Sequence, residues 1–105
     1  MAKHDYWFWT DRHSRIVMRG RRAVALSFLQ FAIFDALHRV GARNGKQMLS
    51  SELYTEIYRS CREPPQMQTI RVTIAKMNRD KLAYLKLKIN GVNHREHSFY
   101  QIVSL

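Results

Sequence analysis

Two adjacent prolines, Pro64 and Pro65, stop any helix that reaches them from the N-terminal side, because neither has an N–H to donate and their rings crowd the preceding turn. The stretch QTIRVTIAKM, residues 68–77, must therefore begin an element of its own. Taken as a strand it alternates Ile70, Val72 and Ile74, but it then runs into NRDK with no turn residue to end it. Taken as a helix it gathers Ile70, Ile74 and Met77 into one stripe. Gln68, Val72, Ala75, Lys76 and Arg79 then fall on the far side, with Thr69 and Thr73 flanking. The spacing predicts a helix over 68–81. Its β-branched and threonine positions cost about a few tenths of a kcal/mol each, which packing overrides.

Upstream, DYWFWTDRHSRIVMRGRRAVAL breaks short aromatic and β-branched runs with Asp, Ser and Gly. That pattern predicts antiparallel strands centred on Tyr6–Trp9, Ile16–Met18 and Val24–Leu26. Trp7 and Trp9, two residues apart, would share a sheet face and are expected as core or sheet cover rather than as a platform for stacked bases. Ser27 and Gln30 form a capping box, with Leu26 and Phe31 as its hydrophobic staple, so a helix starts at Ser27. Phe31, Ile33, Phe34, Leu37 and Val40 make its apolar face, and Gly41 supplies a left-handed stop. After the polar loop ARNGKQM, Ser50 or Ser51 caps a second helix through SELYTEIYRS, with Leu53 and Ile57 facing inward. Beyond the third helix, Leu85, Leu87 and Ile89 alternate with Tyr84, Lys86 and Lys88, NGVNHRE turns and SFYQIV returns. The expected element is a β-hairpin with a long basic tip.

A chain of 105 residues fits one domain, residues 1–105, with a single core. Its 46% hydrophobic content excludes a disordered tail, and no apolar run is long enough to cross a bilayer. The first residues lack the apolar stretch of a signal peptide, so the expected location is the cytoplasm, with no membrane partner. Cys61 is the one cysteine and reads as a small filler. The net charge of +10 is unevenly placed. Residues 1–24 carry six Lys/Arg against two Asp, residues 25–58 carry three of each sign, and residues 59–105 carry nine basic against three acidic. An excess confined to particular segments points to a face aimed at a polyanion. No Ser/His/Asp set, acidic pair or glycine-rich phosphate loop is present, so neither catalysis nor a cofactor is expected. GVNHREH invites comparison with His-Asn-His nucleases, but only eight residues follow His97 and none is His. A metal on His94 and His97 would need His4 or His13 as further ligands.

Strands, three helices and a terminal hairpin, in that order, resemble the winged helix-turn-helix DNA-binding domains of OmpR/PhoB-type response regulators, over nearly the whole chain. In that family the first helix opens on Leu-Thr-x-x-Glu-Phe-x-Leu-Leu-x-x-Leu. LSFLQFAIFDAL, residues 26–37, follows it with Ser27 for Thr and Gln30 for Glu, keeping the capping box. The family's third helix carries Arg-Thr-Val-Asp-Val-His-Ile-x-Arg-Leu, and QTIRVTIAKM keeps that register. The resemblance implies an α+β fold and sequence-specific binding of double-stranded DNA by a transcriptional regulator in the bacterial cytoplasm or nucleoid. Helix 68–81 would lie in the major groove and wing 90–97 would point toward the minor groove. It further implies Gln68 and Thr69 on phosphate, with Val72, Thr73 and Lys76 facing bases or backbone. RNA polymerase or another regulatory protein is the implied partner, and the protein would be a monomer in solution or a dimer on DNA.

The chain departs from the family at several positions. Gln68 stands in place of Arg, Arg71 of Asp and Thr73 of His, and HSFYQI replaces the Gly-x-Gly-Tyr that ends the family's wing. No receiver domain is expected ahead of these residues, so control would come through abundance, a partner or a ligand. Independently of the family, Arg71, Lys76 and Arg79 can neutralise phosphates, while short Thr69, Val72, Thr73 and Ala75 let a helix approach base edges. Arg95, beside Asn93 and His94, is the kind of side chain a narrow minor groove accepts. The alternative is a winged-helix module that binds protein, or a non-specific architectural binder of DNA or RNA.

Overall fold

The computed structural model describes residues 8–41 and 47–105. Tyr6 and Trp7 of the first expected strand, His4, and residues 42–46 of the expected loop lie outside the described residues. Strands β1 (Trp9–Asp11), β2 (Ile16–Arg19) and β3 (Arg22–Ala25) form one antiparallel sheet in that order. Helix α1 (Phe28–Gly41) follows, then a short strand β4 (Met48–Leu49), helix α2 (Ser50–Ser60) and helix α3 (Met67–Asp80). A 3₁₀ turn, Leu82–Leu85, leads into β5 (Leu87–His94) and β6 (His97–Ser104). The second sheet has the order β4-β6-β5 and is also antiparallel. Among the described residues the fold is thus α+β, with three α-helices and two antiparallel sheets.

The capping box forms as the residues predict: Ser27 N–H donates to Gln30 Oε1 at 2.9 Å and Gln30 N–H donates to Ser27 Oγ at 3.2 Å. Leu26 and Phe31 are both buried in the core with Ile33, Phe34 and Leu37. Phe8 closes one end, its ring meeting Phe34 edge-on at 5.2 Å. The cap of α2 is neither Ser50 nor Ser51 but Leu49, whose N–H donates to Glu52 Oε1 at 3.4 Å. Pairing of Leu49 with Phe99 in β6 fixes its extended backbone, which places the helix start one residue earlier than the serines suggest. Met48, expected in a polar loop, is buried and pairs with Tyr100.

The β2–β3 turn needs Gly20, whose φ of +62° is left-handed. It brings Arg19 and Arg22 opposite each other, and both reach the 3₁₀ turn. Arg19 donates to the carbonyls of Leu85 at 3.0 Å and Lys86 at 2.7 Å and to Ser104 Oγ at 2.7 Å. Arg22 donates to the Tyr84 carbonyl at 2.9 Å and lies over the Tyr84 ring. Part of the basic N-terminal segment, expected to face a polyanion, therefore ties the first sheet to the C-terminal half. Trp9, expected as core or cover, is 52% exposed.

Two expectations for the hairpin are corrected. Tyr84 and Leu85 belong to the 3₁₀ turn rather than to a strand, and Lys86 at φ +56° redirects the chain into β5. The long basic tip is absent: Asn90 to His94 continue β5, and only Arg95 and Glu96 turn, with Arg95 at φ +58°.

Candidate nucleic-acid interface

Helix α3 starts at Met67, directly after the proline loop, with Gln66 as its extended N-cap. Thr69 and Ile70 N–H groups donate to the Gln66 carbonyl at 3.0 and 3.3 Å. No side chain caps this end and no acidic residue lies in the first turn, so the helix itself supplies no negative charge at the positive end of its dipole. Ile70, Ile74 and Met77 are buried. Gln68, Thr69, Arg71, Val72, Ala75, Lys76 and Arg79 are exposed, and Thr73 is half-buried. The helix sorts apolar from polar as its spacing predicts. At 1.5 Å per residue, Gln68 to Arg79 spans roughly 16 Å, more than the ~12 Å width of a major groove.

The hairpin stands beside this helix. Leu87 and Ile89 on the inward face of β5 are buried, but Gly91 and Asn93, next on that face, are exposed. The outer half of the hairpin therefore projects beyond the core. Between it and α3 lies an open cleft of about 420 Å³, lined by Arg71, Gly91, Asn93, Ser98, Phe99 and Tyr100. Arg71 and Asn93, singled out separately in the sequence, meet here. Ser98 Oγ donates to Asn93 Oδ1 at 2.9 Å. Gly91 lies on the cleft wall, where an added Cβ would come into close contact, 3.4 Å, with the Tyr100 ring. Arg95 is exposed at the tip, and His94 ends β5 opposite His97.

Two polar features escaped sequence reading. Asn78 docks α3 onto β5: its Nδ2 donates to the Ile89 carbonyl at 3.0 Å, and the Ile89 N–H donates to its Oδ1 at 2.8 Å. The two residues are eleven apart, and only the turn between them reveals the pair. Arg79 is not a bare cation, because its Nε donates to Asp80 Oδ1 at 2.9 Å. That bond holds the Asp80 carboxyl below its ordinary range, helped by the fields of Arg79, Lys76 and Lys81. The adjacency Arg79-Asp80 was the available signal. Arg71, Lys76 and Arg95 form no ion pair among the described residues.

Cys61 is half-buried against the core. Among the described residues no three metal-binding side chains come together, and no helix is long and apolar enough to cross a membrane. Comparison with protein-family models, with curated proteins and with solved structures found no match for this chain.

Proposed function

We propose that this domain is a winged helix-turn-helix of the OmpR/PhoB type that binds double-stranded DNA sequence-specifically and regulates transcription. In this reading α2 and α3 are the helix-turn-helix, α3 lies in the major groove, and the β5–β6 hairpin is the wing directed at the adjacent minor groove. The observation that carries it is the outward face of α3. One uncapped helix presents Gln68 and Thr69 at its start, short Val72, Thr73 and Ala75 at its centre and Lys76 at its far end, beside a projecting hairpin that bears Asn93, His94 and Arg95. Lys76, Arg71 and Arg95 neutralise phosphate or enter the narrow groove, and the small residues let the helix approach base edges. The protein acts by binding rather than catalysis and needs no cofactor. It works in the bacterial cytoplasm at the nucleoid, as a monomer that pairs on DNA and meets RNA polymerase or another regulator.

Selection of bound duplexes from a randomised library, read by sequencing, tests this reading. An enriched motif, repeated about one helical turn apart, is expected. Recovery of duplex without a motif would make the protein an architectural binder, and no recovery would give first place to a protein partner. The K76A/R79A double variant should weaken binding and flatten the salt dependence by up to about two units of slope, with folding intact because both side chains are exposed. Unchanged affinity in that variant would overturn the assignment of α3 to the groove.

A further inference from the structure

The outer face of the β1–β3 sheet is apolar in a chain otherwise rich in cations. Paired residues share a face, so the register sets Trp9, Met18 and Ala23 in one row and Asp11, Ile16 and Ala25 in the next. The opposite face sends Val17 into the core and Arg19 and Arg22 to the 3₁₀ turn. A sheet face turned to water normally carries the polar half of the alternation. Here Asp11 is the one polar residue of the six, and none is basic although the chain has 18 Lys and Arg. Trp9 is 52% exposed and Met18 37%, and Ala23 and Ala25 are exposed in the same two rows.

The basic residues stand instead at the two ends of the strands. Arg12 and Arg15 lie in the β1–β2 turn, where Arg12 leans toward Asp35 at 3.7 Å, and Arg21 lies in the β2–β3 turn. All three are exposed. An apolar centre with cations at both ends selects its occupant. A second copy laid face to face would set arginine ends against arginine ends, in a protein already at +10. A nucleic-acid duplex, whose bases are already stacked on one another, would set Trp9 and Met18 against sugar and phosphate. An amphipathic helix with carboxylates along its flanks satisfies both features. Size agrees, since three strands about 4.8 Å apart span roughly 10 Å, the diameter of one helix.

We propose that the outer face of β1–β3 docks an acidic amphipathic helix of a partner protein, its apolar side chains on Trp9, Ile16 and Met18 and its carboxylates toward Arg15 and Arg21. The site is separate from the α3 face and does not rest on DNA binding.

The test uses the full chain, isotope-labelled for NMR, titrated with a synthetic helix of about four turns carrying leucine on one face and glutamate on the other. Saturable shifts confined to β1–β3 and its turns are expected, with a blue shift of tryptophan emission. Met18→Asp should weaken binding about tenfold or more without changing the thermal midpoint. Arg21→Glu, a turn substitution that leaves the apolar face intact, should weaken it several-fold, and a lysine-for-glutamate peptide should not bind. Shifts concentrated on α3 and the hairpin would overturn the proposal, since the peptide would then be acting as a generic polyanion. So would the absence of saturable shifts, undiminished binding by both variants, or a concentration-dependent dimer that Met18→Asp abolishes.

Discussion

Asn78→Ala removes both hydrogen bonds that hold α3 to the edge strand β5. Each contributes about 1 kcal/mol net, and a partly buried donor and acceptor left at Ile89 add up to about 1 kcal/mol more, for an expected loss of roughly 2–3 kcal/mol. With a urea m-value of about 1.5 kcal/mol/M, the unfolding midpoint should fall by roughly 1.5–2 M, followed by far-UV circular dichroism. Asn78→Asp separates this bond pair from simple loss of packing. At neutral pH its carboxylate still accepts from the Ile89 N–H but faces the Ile89 carbonyl with a second acceptor, so the variant should be at least as unstable as Asn78→Ala. Below about pH 4 the protonated carboxyl becomes a donor and part of the deficit relative to the parent at the same pH should return. A midpoint for Asn78→Ala within about 0.3 M of the parent, equivalent to roughly 0.5 kcal/mol, would refute the clamp. An Asn78→Asp deficit that does not vary with pH would refute its geometry.

Three other contacts lead to measurable outcomes. Asp80→Asn removes the carboxylate that holds Arg79 and should tighten duplex binding a few-fold while steepening its salt dependence, read by fluorescence anisotropy across a salt series. Ser27→Ala breaks the capping box of α1 and should cost about 1 kcal/mol, a fall of roughly 4–8 °C in Tm by scanning calorimetry. His38 sits half-buried against Phe8, and burial holds its imidazole below the ordinary value of 6.5 against the opposing field of Asp35. The unfolded chain therefore takes up the proton first, so stability held above pH 6.5 is lost as pH falls through that value toward the folded pKa. The His38→Gln variant should show a flatter urea midpoint between about pH 7 and 5.

What the sequence made legible was local. Ser27 and Gln30 are three residues apart, and their reciprocal bonds form within one turn. Ile70, Ile74 and Met77 repeat at the helical period, and their burial follows from that repeat alone. What stayed hidden depends on a distant partner. Met48 and Leu49 carry no strand signal of their own and become β4 only because β6 pairs with them. Asn90-Gly91 is a strong hairpin turn signal by composition. It is overridden because Ile89 pairs with Ile102, which seats Ile89 in the core, and the ladder continues through Gly91 and Tyr100. The turn is thereby displaced to Arg95 and Glu96, neither a usual turn residue, with Arg95 bearing the left-handed conformation.

Net charge was the least faithful guide, and the reason separates the two proposed surfaces. The basic excess in the first 24 residues includes Arg19 and Arg22, which bind backbone carbonyls, and Arg12, which leans on Asp35. What remains outward there rims an apolar sheet face, a pattern that fits a short acidic helix better than the continuous line of phosphates along a duplex. On α3 and the hairpin the exposed cations alternate with small or amide side chains, and one of them, Arg71, lines the cleft, an arrangement that suits the proposed contact with phosphates and base edges. If the surfaces are distinct, Met18→Asp leaves duplex affinity unchanged and Lys76→Ala leaves peptide affinity unchanged. A variant at either site that weakened both ligands alike would mean that charge alone, and not the shape of either face, decides what this domain binds.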